Sequence, residues 1–332
     1  MAESKRIGLH MTPGTGQPGR FPKLAARAEE LGYESLWLAE AGSADAIVSA
    51  TAFATATSRA RVATGVLPIQ IRTPVTMATA FLTLNEISGG RAIVGIGVSS
   101  PIIVERWHGA AYRKPITAMR ECVTIMRQVF TEGRAKFEGE IYRSDYRLGF
   151  RPTHPAPPIY LAALNPPMLR LAGEIADGVL LNYSPAEAIA PMIAEIRTGA
   201  ERAGRRLEDL DLAIYLRMCV TPDERVAIDS FKRELTGYSF VDSYGQMFAR
   251  YGLSAEFAEV RRLWKAGRRD EAPAAISDAS ARKLAAFGTP ENARVMVAQF
   301  RAAGITLPIV FPVGPRETSE RDFTATMEAA RG

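Results

Sequence analysis

Between Ile7 and Val313 the chain alternates short, continuously apolar runs with amphipathic stretches. The apolar runs are IGLHM (7–11), SLWLAE (35–40), RVATGVLP (61–68), RAIVGIGV (91–98), PIYLAAL (158–164), GVLLNY (178–183), LAIYLRMCV (212–220) and LPIVFPV (307–313). Stretches with apolar residues at helical spacing separate them, among them 21–32, 45–57, 74–88, 114–130, 166–176, 185–204 and 290–304, and a last one follows at 321–331. Strands apolar on both faces belong to a parallel sheet covered on both sides. Strict strand and helix alternation means an α/β fold. Eight such units predict a closed (β/α)8 TIM barrel, which needs about 250 residues. The 332-residue chain therefore has a surplus. It falls at 133–157 and at 221–287, the latter helical in pattern with turn signals around Gly237, Gly245, Gly252 and Gly267. No low-complexity linker interrupts the chain. We expect one domain over 1–332, with a helical insertion after strand seven.

The formal charge of +5 is spread among interleaved acids. No basic run with interspersed aromatics predicts a nucleic-acid face. Cys122 and Cys219 have no metal spacing, and His10, His108 and His154 lie too far apart for a local zinc motif, so no metal is expected. The N-terminus lacks the long apolar core of a signal peptide, and no apolar run reaches membrane-spanning length. These features predict a cytoplasmic protein without a membrane partner.

The stretch GIGVSS, residues 95–100, comes close to a dinucleotide fingerprint. That fingerprint needs a third glycine and a helix opening at once, at the first strand–helix turn. Here the third position is Ser100, the strand is the fourth, and no helix is predicted before about residue 114. Gly95 and Gly97 have two other readings. They leave room for a flat ligand against the backbone, or they relieve crowding inside the barrel.

Three segments, TGVLPIQIRTP (64–74), SGGRAIVGIGVSSPIIVERWHG (88–109) and LAGEIADGVLLNYSP (171–185), resemble bacterial luciferase-like proteins. They are most similar to the branch that uses the deazaflavin coenzyme F420, including methylene-tetrahydromethanopterin reductase-like oxidoreductases. The likeness covers 5–220 and 288–313, while 221–287 matches nothing recognisable. It implies a ring lying across the C-terminal mouth of the barrel, backed by a bulge with a cis peptide at Gly65–Val66. Val98, Ser99 and Ser100 would face the ring. Asn165, Asn182, Tyr183 and Ser184 would lie toward the ribityl and phosphate groups; a helix cap is the other reading of Asn182.

Some members of that family carry a His after strand two and a Glu after strand four. The matching positions here are Ala41 and Ser100. Polar residues left near the mouth are Glu40, Asp45, Gln70, Glu105 and His108. Glu40 is the candidate acid, the alternative being an ion pair with an arginine. His108 is the second catalytic candidate, or else a structural histidine. The implied function is an F420-dependent oxidoreductase that passes a hydride between deazaflavin and a small carbonyl, imine or activated alkene. An FMN-dependent monooxygenase, or a flavin- or deazaflavin-binding protein without turnover, are the alternatives. Family members often pair, so a homodimer is expected.

Overall fold

The computed structural model describes residues 6–11, 18–40, 42, 44–315 and 319–331. Ala41 lies outside the described residues. In chain order the first elements are β1 (Gly8–His10), α1 (Phe21–Glu30), β2 (Ser35–Leu38), α2 (Ala46–Ala56), β3 (Arg61–Thr64) and β4 (Leu67–Pro68). Then follow α3 (Pro74–Ser88), β5 (Ala92–Gly97), α4 (Pro115–Glu132), β6 (Arg134–Glu138), β7 (Arg143–Arg147) and β8 (Ile159–Ala162). Next come α5 (Pro166–Ile175), β9 (Gly178–Leu181), α6 (Ile189–Arg202) and β10 (Asp211–Val220). The chain continues through α7 (Glu224–Tyr238), α8 (Asp242–Arg250), α9 (Ser254–Lys265), α10 (Asp278–Leu284) and β11 (Ala285–Gly288). It ends with α11 (Pro290–Ala302), β12 (Leu307–Pro312) and α12 (Ser319–Ala329). The fold is a closed eight-stranded parallel barrel with surrounding helices, and each expected strand contributes to it.

The described chain forms two compact units. One comprises 17–180 and 194–212. Its strands run β2-β3-β5-β8-β9, all parallel. SLWL of β2 and AIVGIG of β5 are buried at every position, as a strand covered on both faces must be. The helices begin where caps stand. Asp45 accepts from Val48 N at 2.9 Å to open α2, and Thr73 accepts from Thr76 N at 3.3 Å to open α3. Gly89, at φ 68°, closes α3 in the left-handed conformation that glycine adopts freely.

The segment 133–157 holds an antiparallel hairpin of β6 and β7, in the register Arg134↔Arg147 to Glu138↔Arg143. Its residues, RAKFE and RSDYR, are mostly polar, so no apolar run announced it. Glu121 of α4 holds the turn, accepting from Glu140 N, Ile141 N and Tyr142 N at 2.7, 2.9 and 2.8 Å.

The other unit comprises the described parts of 1–16 and 213–332, with 181–193. Its strands run β11-β10-β12-β1, again parallel. The insertion 221–287 is helical as expected, through α7 to α10, but it closes on a strand the sequence reading missed. β11 lies beside the end of β10, Arg217↔Ala285 to Val220↔Gly288. Of its four expected turn glycines, Gly245 sits inside α8; Gly237 stands at the end of α7 directly before a turn, and Gly252 and Gly267, both at φ 78°, make turns.

Candidate active site

In the first unit described, β3 breaks after Thr64 and resumes as β4 at Leu67, and the Gly65–Val66 peptide between them is cis. The bulge is tied down on both sides. Gly65 N donates to Leu38 O at 2.8 Å, and Val66 O accepts from Glu40 N at 3.2 Å. Thr64 Oγ1 donates to Gly95 O at 2.6 Å and accepts from Gly95 N at 3.1 Å. This geometry decides between the two readings of the β5 glycines. A Cβ on Gly95 would stand 1.7 Å from Thr64 O, and one on Gly97 would stand 2.6 Å from Val66 Cγ2. The glycines make room for the protein's own bulge.

Beyond β5, Ser99 adopts φ 56°, a left-handed conformation rare for serine. Val98 and Ser99 are half-buried, and Ser100 is buried. Ser100 Oγ accepts from Ile103 N at 3.4 Å, so this hydroxyl is partly engaged in starting the π-helical turn Ile102–Trp107. Such turns recur at functional sites. His108 ends that turn, exposed, and its side chain has no hydrogen-bond partner among the described residues. It neither braces its loop by a hydrogen bond nor joins the groups at the bulge. Trp107 is 57% exposed, with its ring edge over Gly42. Asn165 is half-buried at the N-cap of α5; its side chain makes no cap bond, and its carbonyl accepts from Met168 N and Leu169 N.

Glu40 forms the ion pair that was its alternative reading. Its carboxylate lies 3.2 Å from Arg72 Nη2 and accepts from Ala46 N at 3.1 Å, and Arg72 also pairs with Asp45. A carboxylate facing a guanidinium and a backbone N–H is held as an acceptor. Glu40→Gln keeps the shape and an acceptor but loses the charge. We expect a stability loss of about 1 kcal/mol in denaturant melts and a kcat change below about tenfold. A hundredfold fall in kcat would instead mark Glu40 as the proton donor.

In the other unit, the Asn182–Ser184 loop is taken up by contacts within the unit. Asn182 Nδ2 donates to the Tyr244 hydroxyl at 2.8 Å, and Asn182 Oδ1 accepts from Arg217 Nη1 at 2.6 Å. It is therefore not a helix cap. The Tyr183 hydroxyl donates to Glu234, and its ring lies under the Arg217 guanidinium, 3.4 Å from centroid to Cζ. Ser184 Oγ accepts from Tyr251 at 3.2 Å and donates to Asn182 O at 3.2 Å. The Tyr183 side chain, buried and bonded, packs within this unit. Tyr183 takes φ 50° to do so.

Arg217 and His10 are buried polar residues that the sequence reading did not single out. Arg217 is 2% exposed, bonds Glu234 through Nε at 3.0 Å, and also lies 4.4 Å from the Phe311 ring. A charge inside the apolar run LAIYLRMCV was the available signal, since such a charge demands partners. His10 ends β1, 1% exposed, stacked on Phe311 at 3.9 Å and 10°. Burial first, and the Arg217 charge second, hold its pKa well below the ordinary imidazole range. Among the described residues, both ring nitrogens lack partners, as do the Gln70 carboxamide atoms and Arg72 Nε. Buried polar groups are rarely left so. Among the described residues, no cluster of three His, Cys, Asp or Glu could hold a metal, and no helix is long and apolar enough to cross a membrane.

Comparison with known proteins places this geometry. The chain is 32% identical to a Mycobacterium tuberculosis protein named for coenzyme F420-dependent oxidoreductase activity, over 93% of this chain and 96% of that one. It is 31% identical to the 5,10-methylenetetrahydromethanopterin reductase of Archaeoglobus fulgidus, over 87% and 88%. The solved coenzyme F420-dependent tetrahydromethanopterin reductase from Methanopyrus kandleri has the same fold, with a TM-score of 0.80 at 22% identity over 99% of this chain and 98% of that one. The model of the luciferase-like monooxygenase family matches residues 4–307, and the chain belongs to that family.

Proposed function

We propose that the protein is an F420-dependent oxidoreductase acting on a small carbonyl, imine or activated alkene. The observation that carries this is the 32% identity, over nearly the whole of both chains, to a relative named for F420. The residues fit such a group. The bulge at Gly65–Val66 offers a backbone ledge, and the orphaned buried carboxamide of Gln70 calls for a bound polar partner. When bound, the coenzyme gives or takes a hydride at its deazaflavin ring. Gly65 and Val66 would back the ring, with Val98, Ser99 and Ser100 beside it. Asn165 would serve the ribityl and phosphate portion. In the other unit, Asn182, Tyr183 and Ser184 would act through the backbone that their bonded side chains fix. Arg72 would keep Glu40 as a positioning carboxylate. We also assign a homodimer, which sedimentation equilibrium tests.

Fluorescence titration of purified protein decides the cofactor. F420 should bind at micromolar concentration or tighter, about −8 kcal/mol, and FMN about tenfold more weakly or worse. Tight FMN binding without F420 affinity would hand the case to an FMN-dependent monooxygenase.

A further inference from the structure

Among the described residues, six buried side-chain polar atoms lack a partner, and two of them are the ring nitrogens of His10. Leaving such a group unmet costs roughly 1–3 kcal/mol. Packing alone does not explain it, because a phenylalanine would fill the same space without that penalty. His10 lies face to face with Phe311 and edge-on to Tyr215, 5.0 Å away at 82°. The two rings fix its plane. It also closes β1 at the C-terminal end of a barrel strand, where enzymes of this fold bind substrates. Burial and the Arg217 charge disfavour imidazolium, so the ring has one N–H donor and one bare nitrogen.

We propose that His10 hydrogen-bonds the polar atom of the substrate, an acceptor such as a carbonyl or imine, through its neutral ring N–H. This rests on the oxidoreductase reading above. The bond strengthens as negative charge grows on the acceptor, which is how a fixed donor favours a transition state over a ground state. His10 keeps its own proton, and the acceptor atom takes its proton from water. The substrate class follows: molecules with a hydrogen-bond acceptor at the reacting carbon are preferred over isosteres without one.

The test uses the full chain, with and without F420. Cyclohexanone is the probe, and methylenecyclohexane, the same shape without the acceptor, is the control. Ring nitrogens of the three histidines are followed by 1H–15N NMR, with His10 assigned as the signal missing from His10→Gln. Cyclohexanone should shift the His10 signal saturably, and methylenecyclohexane should not. His10→Phe should weaken cyclohexanone about tenfold, the worth of one hydrogen bond, and leave F420 affinity within about twofold. His10→Gln, which keeps an N–H donor, should recover part of the loss. Equal cyclohexanone affinity in wild type and His10→Phe, or an unmoved His10 signal, overturns the proposal. Failure of wild type to bind F420 ends the oxidoreductase reading instead, and the cofactor-free titration still decides His10.

Discussion

Gly95→Ala should leave little or no folded protein. The added methyl would stand 1.7 Å from Thr64 O, a backbone atom that cannot swing aside. Thr64 Oγ1 bonds both N and O of Gly95, and Gly65 N is held by Leu38 O, so the bulge has nowhere to go. Ordinary overpacking costs about 1–3 kcal/mol because side chains yield. Here backbone must yield, and the loss should exceed about 4 kcal/mol, a large part of a domain's whole stability. Gly245→Ala is the control. It lies in the interior of α8 with nothing within 4 Å of a new Cβ, and alanine should raise stability by about 0.5–1 kcal/mol. Urea melts of both variants check the pair. A Gly95→Ala protein that melts like wild type would mean that the β3 bulge is not packed as described.

Arg217→Met should be the next most damaging change, at about 3 kcal/mol. Methionine replaces the bulk but none of the bonds. Asn182 Oδ1 loses its Arg217 donor, Glu234 keeps only the Tyr183 hydroxyl of the two donors described, and the Tyr183 and Phe311 rings lose the guanidinium over them. Glu234 remains about a third exposed, so water takes up part of its charge and keeps the loss from rising further. The variant should also report on His10. In the wild type the folded imidazole stays neutral, while the unfolded one protonates near the ordinary imidazole value of 6.5. The unfolded chain then binds more protons, so stability falls as pH drops through that value, by up to about 1.4 kcal/mol per unit. Without Arg217 the slope should shrink but persist, because burial is the larger cause. His10→Phe should remove the contribution altogether. Denaturant melts at pH 5.5 and 7.5 measure it, and equal slopes in wild type and His10→Phe would show that His10 titrates normally.

The barrel and its catalytic end were legible from pattern. Periodicity, caps and breakers act locally, and a strand apolar on both faces has few places to go. The cis peptide at Gly65–Val66 was implied by resemblance to a family, not by any local rule. β6, β7 and β11 escaped because their stabilising partners, Glu121 for the hairpin and the end of β10 for β11, are distant in sequence or lend no periodicity to the strand itself. For the site, tertiary structure decided what sequence left open. Glu40 and Arg72 lie thirty-two residues apart, so only folding could show that the candidate acid is paired. Asn182 and Tyr183 were placed toward the ribityl and phosphate groups by resemblance, and only folding showed their side chains bonded to Arg217, Glu234 and Tyr244. The reason is the same throughout. A sequence specifies which groups must be buried, but a polar group's chemistry is set by what meets it there. That meeting left the His10 imidazole without a partner and gave Glu40 one.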